Sequence, residues 1–229
     1  MKTPNKNDFT KYVFVFIDIL GFMEASEEKG KISSIIDVLS SIKQTIFDHN
    51  NSEERASFQG INDIKINSFS DSIIIYSLPE QLPWIIKYSV DFTQQLISKG
   101  FLCRGAMTYN ELYQQNEIVF GKAFNKAYID ETKNAIYPRI ILDKTIINLI
   151  ETQIKEDLDA DVFNNYIHID KDGSSYLNLL CDDKNNQIKN ILIKFVNKEL
   201  RSLEEKEKLR ISIEQKLLWL QNTYCLDEL

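Results

Sequence analysis

Histidine, cysteine, glycine and proline are all scarce in this chain of 229 residues, which holds 2, 3, 7 and 4 of them. The histidines, His49 and His168, lie far apart, which argues against a zinc site. Cys103, Cys181 and Cys225 are odd in number and widely spaced, with no Cys-x-x-Cys. That argues against a disulfide framework or a zinc ribbon and makes a reducing cytoplasm the expected compartment. No apolar run approaches the roughly 20 residues that span a bilayer, and Met1 to Asp8 lacks the apolar core of a signal peptide, so no membrane partner is expected. A basic block is missing too: the net charge is -7 and the lysines are scattered among acids, so no nucleic-acid partner is expected. The few glycines and prolines form no linker, and no internal repeat or low-complexity tract divides the chain.

What is present suits a single core. With 43% hydrophobic and 27% charged residues, the chain fits one large domain or one domain with an appended helical segment. The expected division is 1–180 as the main domain and 181–229 as a helical extension packed on it. The outstanding stretch is Tyr12-Val-Phe-Val-Phe-Ile-Asp18-Ile-Leu-Gly21-Phe22, an apolar run that ends in a carboxylate and a glycine turn. Its β-branched and aromatic residues, without polar alternation, describe a strand covered on both faces.

A helix with apolar positions Ile32, Ile35, Ile36, Leu39, Ile42 and Ile46 follows. Asp63 to Phe69 and Ser72 to Tyr76 read as a hairpin around Ser70-Asp71. Pro79 and Pro83 open a second helix that Gly100 closes, and Phe101 to Tyr109 is a fourth strand. This βαββαβ order predicts an α+β, ferredoxin-like fold with a C-terminal strand and helix extension. Further on, the spacing predicts a hairpin from Tyr113 to Val119 and a loop at Phe120-Gly121 leading into a helix to about Asn134. It then predicts a strand from Pro138, a helix from Lys144 to Asp157 and a late hairpin from Tyr166 to Leu180. One long helix from Asn186 to about Thr223 ends the chain, with the run Glu204 to Arg210 as a solvated face or turn.

The topology makes Asp71 more than a turn residue. If the first and third strands are antiparallel neighbours, Asp18 at the end of one and Asp71 at the start of the other converge on one edge of the sheet. Two such carboxylates suit a pair of divalent cations whose remaining positions go to phosphate oxygens and water, as magnesium and manganese prefer. The N–H groups of Ile19, Leu20, Gly21 and Phe22, taken as free, are then expected to cradle further phosphates.

These residues resemble a known family. Phe16-Ile-Asp-Ile-Leu-Gly-Phe22 and Phe69-Ser-Asp-Ser72 are similar to the two metal motifs of class III nucleotidyl cyclases. Cys103-Arg-Gly-Ala106 falls where that family has its fourth strand, and Gly121-Lys-Ala-Phe-Asn125-Lys-Ala-Tyr128 has its glycine-to-asparagine spacing. The combination, over roughly residues 10 to 142, most resembles the pyrimidine cyclases of bacterial anti-phage Pycsar systems. The resemblance implies a cyclase palm that converts UTP or CTP to the 3′,5′-cyclic nucleotide and pyrophosphate with two divalent cations, Mn2+ or Mg2+. It also implies a homodimer with interfacial active sites and a separate effector that reads the product. By the same resemblance Asp18 and Asp71 are the metal aspartates and Asn125 orients the ribose and phosphate; Ile19 is expected as a further metal ligand and Arg104 on the fourth strand as a candidate catalytic cation.

The departures bear on substrate. Asn67, four positions before Asp71, stands where purine cyclases carry a base-reading lysine or glutamate, and Ile118, three before Gly121, stands where they carry its partner. This disfavours ATP and GTP. The transition-state arginine of the family is replaced by Ile129, leaving Arg104, Lys122, Lys126 and Arg139 as candidates to supply the charge. A catalytically silent nucleotide-binding relative, a purine cyclase and another palm-type phosphoryl-transfer enzyme remain open as alternatives. The last would want a second acid beside Asp71, where the chain has serines.

Overall fold

The computed structural model describes residues 9–52, 63–115, 118–155, 160–181, 183, 185–205 and 211–226. Its centre is β1 (Thr10–Ile19), whose residues Val13, Phe14, Val15, Phe16 and Ile17 are buried, as an unalternating apolar run requires. Antiparallel neighbours flank it on both sides, β3 (Ser72–Ser77) and β4 (Cys103–Gln115). With β2 (Lys65–Phe69) outside β3, and helices α2 (Lys29–Asn50) and α3 (Leu82–Ser98) as the crossovers, the order β2-β3-β1-β4 is the ferredoxin-like arrangement. The sheet continues past β4 through β6 (Ile140–Leu142), β8 (Ser175–Leu177) and β7 (Ile167–Ile169). The α+β expectation therefore holds, extension included.

Alternation along β1 separates two layers. Val13, Val15, Ile17 and Ile19 join α2, α3, α5 (Lys144–Lys155) and α6 (Ala160–Tyr166) in one apolar cluster. Phe14 and Phe16 face the other way, toward Ala123 and Ala127 of α4 (Lys122–Lys133). On that second face, toward the β6 and β8 side, Ala106, Ile141 and Tyr176 pack against Leu192 and Val196 of α7 (Gln187–Glu205) and Leu217 and Leu220 of α8 (Ile211–Tyr224). Each fully buried aliphatic side chain of this kind contributes about 1.5–3 kcal/mol.

Four local expectations are corrected. A short α1 (Phe22–Ser26) precedes α2, and α6 stands where no helix was expected. Phe120 and Gly121 are not loop. They belong to β5 (Ile118–Gly121), because β4 runs on to Gln115 and pairs with it from Leu112↔Gly121 to Gln115↔Ile118. Gly121 has φ 144, and a Cβ there would come 2.8 Å from the Glu111 carbonyl oxygen, so glycine permits the close pairing. The C-terminal tail is two helices packed on each other rather than one. Residues 206–210, most of the charge run, lie outside the described residues. Among the described residues no helix is long and apolar enough to cross a membrane.

Candidate active site

Asp18 stands at the end of β1 on the face that carries Phe14 and Phe16, so alternation aims it toward α4. Across the ladder its partners are Ser72 on β3 and Arg104 on β4. Ser72 follows directly on the hairpin turn, where Ser70 adopts left-handed φ 55 and the Asp71 carbonyl accepts the Ile19 N–H at 3.0 Å. The antiparallel register expected of β1 and β3 thus brings Asp18 and Asp71 to one end of two adjacent strands. On the other side of β1, Gly105, next to Arg104, permits the close β1–β4 pairing that sets Arg104 opposite Asp18, since a Cβ there would sit 2.4 Å from the Phe16 carbonyl oxygen.

The electrostatics leave this corner short of positive charge. Burial pushes the Asp18 carboxyl up to about 6, and the charges of Glu131 and Asp71 add to the rise while Arg104 opposes it. Arg104 Nε lies 3.6 Å from Asp18 Oδ2 and 2.6 Å from Glu131 Oε1. Glu131 is buried on α4, and its other oxygen, Oε2, accepts from the Thr132 hydroxyl at 3.0 Å. Among the described residues no three His, Cys, Asp or Glu side chains are grouped to hold a metal ion. Two carboxylates are nonetheless what magnesium takes from a protein when phosphate and water complete the shell, and the raised carboxyl of Asp18, crowded by two other acids, fits that role.

The remaining expected residues fall as follows. The Ile19 side chain is in the core, so only its backbone can face a ligand. The phosphate cradle shrinks: the Ile19 N–H is given to Asp71 and the Leu20 N–H to the Leu102 carbonyl at 2.9 Å, because the sheet pairing runs past Asp18. Gly21, at φ 73, caps α1, and the Phe22 side chain packs on the core. Asn67 is exposed on β2 opposite Ile74, which places it on the Asp18 face. Asn125 is exposed within α4, whose N-cap is Gly121, so it is not a helix cap.

Of the candidate cations, Arg139 is ruled out by its surroundings. It is 1% exposed, ion-paired with Asp170 and Asp172, and enclosed by the rings of Tyr137, Tyr176 and Trp219 at 5.3 to 5.7 Å. Lys122 pairs with Glu111 at 2.8 Å and Lys126 with Asp130. Sequence reasoning missed two residues that the fold brings to Asp18. One is Glu131. The other is half-buried Lys216 on α8, whose ammonium is pushed down by burial and by Arg104 and held up by Asp18. Nothing in the local sequence of Lys216 marks it, but Ala123, Ala127, Asp130 and Glu131 repeat with helical spacing, a stripe that points both acids inward.

No family model and no curated protein matches the chain. Among solved structures it is similar to the adenylyl cyclase CyaB from P. aeruginosa, at 15% identity and TM-score 0.47, over 63% of this chain and 82% of that one. It is also similar to a bacterial light-regulated adenylyl cyclase, at 15% identity and TM-score 0.43, over 65% of this chain and 46% of that one. A third is the catalytic core of a rhodopsin-guanylyl cyclase with converted specificity in complex with ATPαS, at 12% identity and TM-score 0.46, over 73% and 94%.

Proposed function

We propose that the chain is a nucleotidyl cyclase that converts a pyrimidine nucleoside triphosphate, UTP or CTP, to its 3′,5′-cyclic nucleotide and pyrophosphate. The observation that carries this reading is the placement of Asp18 and Asp71 at one end of adjacent antiparallel strands, with the guanidinium of Arg104 across the ladder. Asp18, Asp71 and the Ile19 carbonyl are the groups that would hold divalent cations, Mn2+ or Mg2+. Such cations, when bound, lower the pKa of an attacking hydroxyl and neutralise charge on a leaving phosphate. The 3′-hydroxyl releases its proton to solvent and its oxygen bonds to the α-phosphorus, as the bond from that phosphorus to the α,β-bridging oxygen breaks and pyrophosphate leaves with the bridging oxygen. Arg104 and Lys216 offset negative charge on the triphosphate, and Asn125 orients the ribose.

The base is read on the same face. Asn67 offers a carbonyl acceptor and an NH2 donor, which suits the pyrimidine edge better than the charged residue of a purine site. Phe16, Phe69, Phe124 and Tyr128 form an adjoining aromatic cluster, with ring centroids 5.6 to 6.4 Å apart. Phe69, Tyr128 and Ile129 are exposed there, which supports a homodimer with interfacial sites. In this reading the protein works in the cytoplasm, and its product is a messenger for a separate effector in anti-phage defence.

A mass-spectrometric screen with ATP, GTP, CTP and UTP under Mn2+ tests the reading. Cyclic UMP or cyclic CMP is expected. Cyclic AMP or GMP would move the assignment to a purine cyclase, and no cyclic product from any of the four would overturn it. The apolar side chains at Ile118 and Ile129 favour a second reading, a silent relative that binds triphosphate without turnover. Equilibrium binding in the same samples separates the two.

A further inference from the structure

Arg104 is drawn two ways. Its Nε is 2.6 Å from Glu131 Oε1 and 3.6 Å from Asp18 Oδ2, and neither Arg104 Nε nor Glu131 Oε1 makes an aligned hydrogen bond among the described residues. The contact with Glu131 is therefore one of charge, while Asp18 feels the guanidinium both as a charge and as a weak hydrogen-bond donor. Coulomb attraction falls with distance and with solvent screening, and Glu131 wins on both counts, since its side chain is 4% exposed against 21% for Asp18. Glu131 cannot easily follow the guanidinium elsewhere. It lies on α4, which Ala123 and Ala127, both fully buried, hold tight against the sheet. Without this second carboxylate, the ladder partner of Asp18 would have one acid to pair with at close range.

We infer that Glu131 is a positioning residue that holds Arg104 off Asp18, so that the Asp18 carboxylate stays open to a divalent cation while the guanidinium remains beside it for the triphosphate. The inference rests on the metal role of Asp18 in the reading above. It assigns to the inward acid of α4 a task distinct from packing: a buried carboxylate decides which of two neighbours an arginine neutralises. Lys216 on α8, whose charge is felt at Asp18, adds positive charge without occupying the ladder position opposite Asp18, which is Arg104.

The test is a double-mutant cycle read by Mn2+ binding alone, followed by electron paramagnetic resonance of free Mn2+, with no nucleotide and no turnover. Glu131→Gln keeps the shape and removes the charge. With Arg104 present it is expected to weaken Mn2+ binding about tenfold or more, and in an Arg104→Gln background by less than about threefold, because coupled residues are non-additive. An equal loss in both backgrounds marks a general charge effect and overturns the positioning role. Thermal melting of each variant checks the fold, and Glu131→Met, which also removes the charge, replaces the glutamine variant in the cycle if that variant does not fold. An Asp18→Asn control separates the two levels: Mn2+ binding that is unchanged in Asp18→Asn overturns the metal reading and the role of Glu131 with it.

Discussion

Trp219 donates its indole N–H to Asp170 at 2.7 Å, and that bond ties α8 to the turn between β7 and β8. The same Asp170 pairs with Arg139, whose guanidinium lies among Tyr137, Tyr176 and Trp219, and Tyr137 stacks on Trp219 with 7° between the rings. Arg139 is the charge at the centre of this junction. Arg139→Met leaves Asp170 and Asp172 without their cation and is expected to destabilise the chain by about 3–5 kcal/mol, measured by urea unfolding. Trp219→Phe keeps the stacking, loses one hydrogen bond and should cost about 1–3 kcal/mol.

Asp71→Ala should abolish turnover while leaving the melting temperature within a few degrees of the parent. The stronger tie of Asp71 to the fold is its backbone carbonyl, which accepts the Ile19 N–H at 3.0 Å and which alanine retains; its side chain adds one long bond, accepting from the Ser72 hydroxyl at 3.5 Å. An unfolded variant would show a structural role for the side chain.

Asp18 makes stability depend on pH in the sense opposite to a salt-bridged acid. Its carboxyl is raised to about 6 in the fold from an ordinary value near 3.8, so between those values the native state binds more protons than the unfolded chain. Unfolding free energy therefore falls as pH rises from about 4 to about 6 and is level above that. Asp18→Asn has no such loss. In EDTA it should match the parent near pH 3.5 and exceed it at pH 7.5 by up to about 3 kcal/mol. Added Mn2+ should raise the melting temperature of the parent and leave that of the variant unchanged.

Lys216→Gln should lower the rate of cyclic product formation about tenfold or more with little change in thermal stability, because its ammonium feels the charges of Arg104 and Asp18 yet makes no ion pair with an acid among the described residues. A rate equal to that of the parent would remove Lys216 from the site.

How much of this was legible in the sequence depends on how local each feature is. The central strand, the hairpin and the convergence of Asp18 with Asp71 follow from an unbroken apolar run and a short turn, which neighbouring residues dictate. Phe120 and Gly121 were misread because their structure comes from the partner strand, not from their own propensity. The N–H groups of Ile19 and Leu20 were expected to be free, yet the sheet continues past the carboxylate and takes both. Glu131 was readable in principle from the spacing of Ala123 and Ala127. Lys216 was not, because only the folding back of α8 onto the face that carries Ala106 and Ile141 brings it near Asp18.

The two aspartates are held with unequal firmness. Asp18 ends a strand bonded on both sides and buried on both faces, so its amide neighbours should be among the slowest to exchange hydrogen. Asp71 rides on a two-residue turn beside exposed Phe69 and left-handed Ser70. In the proposed metal role one carboxylate would sit on a fixed strand and the other on a turn, so adjustment to cations of different radius would fall to the hairpin, within the reach that the bond from the Ile19 N–H to the Asp71 carbonyl leaves it.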